Sequence, residues 1–208
     1  MKLTRLHQAG FIIESPIGAR IGFDFGSGSN LDDISRLKPD IVFVSHQHPD
    51  HFDRDLIDGL AVPVVGPKSL VKQLAFARHY GLGPCDSFSF ADVIVTAIQV
   101  NHGPISASIE HFGYLLKILN RTIFFMADSK RFVKPPVAFD TVLIPVGGNK
   151  VFTPQEAADY LSSISFAGTI IPIHTEIAAI EGSRSEFIEL VGNGQMVFDL
   201  QPGQSADI

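Results

Sequence analysis

The sequence predicts a single α/β domain that spans residues 1–208 and contains mixed parallel and antiparallel sheets. Three observations lead to this prediction. Short apolar runs bounded by Gly, Pro, Asn or Asp dominate the chain, the first two runs are joined by a short turn as in a hairpin, and helical periodicity is interspersed only later. Early hairpins with later helices favour mixed sheets over an all-parallel barrel. The length is enough for one domain with a buried core.

Each predicted strand is an apolar run of suitable length. The first two, residues 11–14 and 20–23, are separated by the turn signal Ser15-Pro16-Ile17-Gly18. The other predicted strands cover residues 41–44, 62–65, 93–100, 113–118, 122–126, 141–144, 169–172 and 196–200.

Helical periodicity predicts three helices, at residues 69–80, 153–163 and 183–191. The second has the strongest start signal. Thr153 is suited to cap the helix, Pro154 to occupy its first position, and Glu156 to complete a capping box.

Composition restricts the partners and the location. Hydrophobic residues make up 45% and charged residues 18% of the chain, as in an ordinary globular protein. The net charge of −6 argues against a nucleic-acid groove, which needs a basic surface. The single cysteine, Cys85, excludes an intramolecular disulfide, and neither a signal peptide nor an apolar run long enough to span a bilayer is recognisable. We therefore expect a cytoplasmic protein without a membrane partner. The apolar content is compatible with a homo-oligomeric interface as well as with a large core.

Residues able to bind metal follow the carboxyl ends of four predicted strands. His46 follows the strand at 41–44, His102 follows 93–100, Asp128 follows 122–126 and His174 follows 169–172. Sheets commonly gather such strand ends along one rim, where ligand sites form. A histidine-rich loop alone also fits a solvated polar loop, but four separate segments with the same placement favour a metal site.

The loop at residues 45–52 is dense with potential ligands. His46 and His48 are two residues apart, so in an extended backbone they point the same way and can bind one ion. Asp50 and His51 follow Pro49 and can face a second ion. His102 would complete the first site and His174 the second, which leaves Asp128 to bridge. Imidazole and carboxylate without thiolate suit two divalent ions, zinc first, with manganese or iron as alternatives.

The motif His46-Gln47-His48-Pro49-Asp50-His51 resembles the HxHxDH signature of the metallo-β-lactamase superfamily. The later positions of His102, Asp128 and His174 are similar to those that the superfamily uses. This resemblance implies an αββα sandwich of two mixed β-sheets flanked by helices, with the metals at one edge. It also implies that Asp24 is a supporting residue that orients the metal loop.

A compact branch of the superfamily, with ascorbate-6-phosphate lactonase and uncharacterised metal-dependent hydrolases, is similar at further positions. These include residues 112–114, 144–148 and 172–174. The chain departs from that branch at Gln8, where a histidine is common, and near Lys130 and Glu176. We expect these positions near the pocket mouth, with Lys130 and Glu176 as candidate substrate residues.

The function that these residues predict is metal-dependent hydrolysis of a small, anionic ester, lactone or phosphodiester. Two metals would activate water and offset negative charge that develops on the substrate. Asp50 would orient the nucleophile or accept a proton while binding metal. His48 stands where flavodiiron oxygen reductases usually have glutamate, which favours hydrolysis. A mononuclear iron dioxygenase and a non-enzymatic metal-binding domain are the alternatives on the same fold. His7 and His111 receive no role from the sequence.

Overall fold

Fourteen strands and five helices are formed by the residues that the computed structural model describes, which are 1–75, 78–103, 109–177, 179–192 and 194–208. The strands are β1 (Lys2–Arg5), β2 (Phe11–Glu14), β3 (Arg20–Phe23), β4 (Ile41–Phe43), β5 (Val64–Pro67), β6 (His79–Leu82), β7 (Ser87–Phe90), β8 (Val93–Gln99), β9 (Phe112–Ile118), β10 (Arg121–Phe125), β11 (Thr141–Pro145), β12 (Thr169–Ile173), β13 (Met196–Val197) and β14 (Ser205–Asp207). The helices are α1 (Leu31–Leu37), α2 (Arg54–Leu60), α3 (Lys68–Val71), α4 (Pro154–Ser163) and α5 (Ser183–Val191). None of the described helices has the length and apolar content to cross a bilayer.

The strands form two mixed sheets of seven strands each. The first sheet has the order β14-β1-β2-β3-β4-β5-β6, and the second has the order β13-β12-β11-β10-β9-β8-β7. Pairing is antiparallel from β14 to β3 and from β7 to β10, and it is parallel from β3 to β6 and from β10 to β13. The prediction of two mixed sheets is confirmed.

Alternation along the strands builds three apolar layers. Phe11 and Ile13 of β2 point into the core between the sheets, whereas Ile12 points to the outer face of the first sheet. In the same way Phe125 points between the sheets, and Phe124 points to the outer face of the second sheet. Because successive strand residues face opposite sides, each sheet can be covered on both faces.

The outer faces are covered by helices. Helices α1, α2 and α3 pack their buried side chains with the first sheet, and α4 and α5 pack theirs with the second. The result is the αββα sandwich that the resemblance implied. The capping box is also confirmed, since Thr153 accepts from the Glu156 backbone N–H while the Glu156 carboxylate accepts from the Thr153 N–H.

Three predicted elements are wrong in extent, and the first of them is the strand predicted at 62–65, which begins at Val64 and ends at Pro67. The helix predicted at 69–80 ends at Val71, residues 76 and 77 of that range lie outside the described residues, and His79 begins strand β6. Leu70, Val71 and Leu74 are buried within little more than one turn, whereas Tyr80 is 45% exposed and does not extend their apolar face. The strand predicted at 196–200 is limited to Met196–Val197.

Two hydrogen bonds connect the sheets just before the histidine-rich loop. The buried Tyr114 hydroxyl of β9 donates to the Val44 carbonyl oxygen at 2.7 Å. Next to it, the Phe112 backbone N–H donates to the Ser45 carbonyl oxygen at 3.1 Å. The loop that follows β4 therefore starts from a point fixed to both sheets.

Candidate metal centre

The predicted ligand residues follow strands whose carboxyl ends meet at one edge of the sandwich. In the first sheet, β4 leads into residues 45–52, hereafter the histidine loop, which carries His46, His48, Asp50 and His51. In the second sheet, β8, β10 and β12 run in one direction and lead into His102, Asp128 and His174. The edge therefore collects ligands from both sheets.

These seven residues form two groups, and in each group the ligand atoms lie within 4.8 Å of one another. The first group is His46, His48, His102 and Asp128. The second group is Asp50, His51, Asp128 and His174. The division between the groups is the one that the sequence predicts for two metal sites.

Asp128 belongs to both groups. Its side chain is 2% exposed, and its Oδ1 lies 2.8 Å from His51 Nε2. Its Oδ2 lies 3.4 Å from His174 Nε2 and 3.5 Å from His102 Nε2. One carboxylate oxygen thus faces the second group and the other faces residues of both, which is the placement required of a bridging ligand.

Asp24 lies behind the ligands and sets the orientation of two of them. The fully buried carboxylate accepts from Ser45 N–H at 2.7 Å, from Ser45 Oγ at 2.5 Å and from His51 Nδ1 at 2.7 Å. Since the Ser45 hydroxyl proton goes to Asp24, Ser45 Oγ accepts from His46 Nδ1 at 2.9 Å. Both histidines are therefore held with Nδ1 as donor, which leaves Nε2 directed to the centre.

His102 is oriented by a different partner. Its Nδ1 donates to the Lys150 carbonyl oxygen at 2.8 Å, and a carbonyl can only accept. Nδ1 is thereby held as a donor, and Nε2 faces Asp128 and the first group. Three of the five histidines in the two groups thus have Nδ1 hydrogen-bonded on the far side of the ring, which directs Nε2 to the groups.

The donor set fits divalent cations. His51 Nε2 and Asp128 Oδ1 are buried and lie 2.8 Å apart, and among the described residues neither atom has a hydrogen-bond partner besides the other. A shared cation satisfies both atoms, because each then directs a lone pair to positive charge. The donors are imidazole and carboxylate, and the exposed Cys85 belongs to neither group. Such a set suits zinc and the neighbouring transition metals.

Charges in the second group are strongly coupled. Burial lowers the pKa of His51, but the charges of Asp128 and Asp24 outweigh it and hold this pKa well above the usual value. Burial raises the pKa of Asp128, but His51 and His174 outweigh it and hold this pKa well below the usual value. At neutral pH the metal-free second group therefore contains an imidazolium beside an ionised carboxylate.

The pKa values of His174 and Asp50 are also set by neighbouring groups that outweigh burial. Burial lowers the pKa of His174, whereas the charge of Asp128 and hydrogen bonding to Asp128 and Asp50 raise it to about 9. For Asp50, burial raises the pKa, but hydrogen bonding to His174 and the charge of His51 lower it below the usual range. By contrast, burial holds the pKa of His46 well below its usual value, so His46 stays neutral.

The histidine loop packs closely against the segment that follows Asp24. A Cβ atom added to Gly26 would lie 2.0 Å from the carbonyl carbon of Asp50, so this position accepts no side chain. Ser27 N–H also donates to the Pro49 carbonyl oxygen at 2.7 Å. The close approach of the backbone at Gly26 thus helps to fix the position of Asp50 within the second group.

A cavity of about 260 Å³ opens onto both groups. Its lining includes His48, Asp50, His102, Asp128 and His174, together with Ser27, Pro49, Gly148, Asn149, Lys150 and Ile177. Among the described lining residues, Lys150 alone is a lysine or arginine. The sequence did not single out Lys150, because its position at the cavity depends on the turn after β11.

The two predicted substrate residues have other contacts. Lys130 Nζ lies 2.7 Å from Glu156 Oε2, at the start of α4. Glu176 Oε1 lies 2.7 Å from Nη2 of the buried Arg5. Neither residue is among the described residues that line the cavity. Their role toward a substrate stays a prediction, and the contact that the structure gives Glu176 is its ion pair with Arg5.

Two residues without a predicted role lie against the ligands. Gln8 is fully buried, and its side-chain Nε2 is 3.0 Å from Asp50 Oδ2. His111 packs against His46 with ring centroids 4.1 Å apart, and burial lowers its pKa to about 3. The departure at Gln8 was the sequence signal that could have indicated its place. His111 had no such signal, because β9 begins only after it.

Comparisons with known proteins agree with this fold. A family model described as a beta-lactamase superfamily domain matches residues 2–174. A UPF0173 metal-dependent hydrolase from Pelotomaculum thermopropionicum is 29% identical over 237 aligned positions, which cover 100% of each chain.

Two solved structures show the likeness in fold. Igni18, described as a novel metallo hydrolase from Ignicoccus hospitalis, superposes with a TM-score of 0.82 at 17% identity, covering 99% of this chain and 97% of that one. YhfI from Bacillus subtilis, a metallo-beta-lactamase fold protein, superposes with a TM-score of 0.77 at 15% identity, covering 99% and 98%.

Proposed function

Since this chain belongs to the metallo-β-lactamase superfamily, we propose that it is a metal-dependent hydrolase whose two residue groups each bind a divalent ion, zinc in the first instance. One observation carries the proposal: the carboxylate of Asp128 is shared by the two residue groups, and histidine Nε2 atoms of both groups face it. The relatives named metal-dependent hydrolases support the same reaction class.

Bound ions would supply a water of lowered pKa and positive charge near the reacting centre. The protein residues do the rest. Asp24 and the Lys150 carbonyl hold the ligand rings in one tautomer, so ligand geometry is preorganised. Asp50 lines the cavity and has a lowered pKa, so it is a weak proton acceptor. We assign it to binding the ion and orienting the attacking water rather than to general base catalysis.

For the substrate we propose a small anionic ester, lactone or phosphodiester. A cavity of about 260 Å³ is slightly smaller than most ligand sites, which suits a small molecule. Lys150 provides a positive charge at the cavity wall, in a protein with net charge −6. We place the anionic group of the substrate at Lys150, with the scissile bond directed toward Asp128.

Metal content and a substrate panel test the proposal. Protein purified without chelator should contain about two equivalents of zinc or manganese. Metal-loaded protein should hydrolyse members of a panel of lactones, phosphodiesters and thioesters. His46→Ala and Asp128→Ala should abolish both metal content and hydrolysis, whereas Asp33→Asn on the surface of α1 should change neither. One equivalent of iron with oxygen consumption would instead identify a dioxygenase. A protein that binds no metal would contradict the proposal.

The assignment of Lys150 has its own matched test. For an anionic substrate, Lys150→Ala should raise KM about tenfold with little change in kcat, since an exposed charge pair is worth about 1 kcal/mol and more where the cavity excludes water. Lys130→Ala is the control, because its ammonium group is paired with Glu156 at the start of α4. If Lys130→Ala raised KM and Lys150→Ala did not, the substrate would be bound on the other side of the centre.

A further inference from the structure

The side chain of Gln8 lies at the second group, where it contacts two of the ligand residues. Its Nε2 is 3.0 Å from Asp50 Oδ2 and 2.9 Å from His174 Nε2. Asp50 and His174 belong to the second group, together with His51 and Asp128. Gln8 has no counterpart in the first group among the described residues.

The orientation of the Gln8 carboxamide is fixed by one neighbouring residue. Ile177 N–H donates to Gln8 Oε1 at 3.0 Å, and the Ile177 carbonyl oxygen accepts from Gln8 Nε2 at 3.3 Å. Rotating the amide by half a turn would place two donors against each other and two acceptors against each other. The NH₂ end of Gln8 therefore faces Asp50 and His174, and the oxygen faces away from them.

The backbone of Gln8 is also held in place. It adopts a left-handed conformation with φ of 59°. Its N–H donates to Glu176 Oε2 at 2.9 Å, and its carbonyl oxygen accepts from Arg5 Nη2 at 3.2 Å and from His174 N–H at 3.1 Å. Arg5 in turn binds Glu176. Arg5 and Glu176 thus fix the backbone of Gln8, which keeps its side chain at the second group.

An amide NH₂ carries partial positive charge and cannot bind a cation. Its nitrogen also lies 2.9 Å from His174 Nε2, so it places partial positive charge beside an atom that an ion would have to approach. Directed at Asp50 Oδ2, it uses an acceptor that a metal ion would require. We propose that Gln8 weakens metal binding at the second group, so that the two groups fill in sequence, with the first group filled at lower metal concentration.

This inference rests on the proposed two-ion hydrolase, and its readout is binding rather than activity. Metal-free full-length protein would be titrated with Zn²⁺ against a chromophoric chelator to give both stepwise dissociation constants. We expect the second dissociation constant of the natural protein to be at least tenfold larger than the first, because an ion must displace the hydrogen bond from Gln8 to the charged Asp50. The metal-free melting temperature of each variant would establish that it is folded.

Two variants and a control make the titration decisive. Gln8→Ala removes the donor and should tighten the second constant about tenfold while the first changes less than twofold. Gln8→Glu replaces the NH₂ with a carboxylate oxygen of the same shape and should tighten it further. Gln155→Ala, an exposed glutamine on α4, should leave both constants unchanged.

The outcomes separate the two proposals. A tighter second ion in both Gln8 variants supports the inference, as does a second ion that appears only in the variants. If folded Gln8→Ala binds the second ion with equal or lower affinity, Gln8 supports the site and the inference is overturned, although two bound ions would still uphold the proposed function. If neither the natural protein nor either variant binds a second ion at millimolar Zn²⁺, the two-ion proposal and the inference both fail.

Discussion

Replacement of Asp24 by asparagine should weaken metal binding without touching a ligand. The buried carboxylate accepts the Nδ1 proton of His51 at 2.7 Å. In Asp24→Asn, the Ser45 N–H can keep its acceptor, so the new NH₂ group faces His51 Nδ1. His51 Nδ1 must then accept, so the ring keeps its remaining proton on Nε2, the atom that faces Asp128. The ligand lone pair is lost although the ring has not moved.

Two arguments give the magnitude of this effect. Loss of a hydrogen bond to a charged group costs about 1.5–3 kcal/mol. Loss of a carboxylate that orients a ligand histidine lowers metal affinity about 10- to 100-fold, which corresponds to about 1.4–2.8 kcal/mol. Because His51 belongs to the second group, we expect the weaker binding step to lose most affinity.

The assay is the same competitive zinc titration, with Asp33→Asn as the matched control. Asp33 lies on the surface of α1 and its side chain is 66% exposed, so its replacement should leave both dissociation constants unchanged. Thermal unfolding of metal-free protein would check that Asp24→Asn is folded. A folded Asp24→Asn variant that binds both ions within twofold of the natural protein would refute the orienting role.

Three further predictions concern the same edge of the sandwich. First, zinc binding should release the proton that two carboxylates hold on His51, and calorimetry in buffers of different ionisation enthalpy should detect this release at pH 7. The pKa of His51 is raised in the folded metal-free protein. The proton release and the stabilisation that the proton provides should therefore both decline as pH rises through that pKa. Second, Gly26→Ala should displace the histidine loop and lower zinc content, whereas Gly194→Ala, where an added Cβ has nothing within 4 Å, should not; equal zinc content in the two variants would contradict the close approach. Third, Tyr114→Phe should lower the free energy of unfolding by about 1 kcal/mol, measured by urea denaturation, because the Val44 carbonyl loses a buried hydrogen bond; an unchanged midpoint would show that this bond contributes nothing.

Predictions from sequence were most accurate where one local signal determines the structure. The capping box at Thr153 is local, and it is present in the structure. The alternation of Phe11, Ile12 and Ile13 likewise needs only a period of two. Predictions were poorer at 69–80, because a short apolar cluster fits one helical turn as well as three. Only the pairing of β6 with β5 separates these cases, and that pairing is a tertiary contact.

At the site, residue types and spacing gave the two groups but not what surrounds them. Gln8 acquires its position from Ile177 and Glu176, which are about 170 residues away along the chain. Lys150 enters the cavity wall through a turn that follows β11, whereas the sequence favoured Lys130 because of its nearness to Asp128. Contacts between distant segments decide both cases, and neither periodicity nor motif spacing encodes them.

The histidine loop belongs to the first sheet, while the other ligands belong to the second, and this division has a mechanical consequence. A cation coordinated at this edge would connect the two sheets of the sandwich. To separate the sheets there, the chain would first have to release the ion, so slow loss of the ion would slow unfolding. Resistance to proteases would then depend on the supply of metal. The same centre would serve both substrate turnover and the stability of the sandwich.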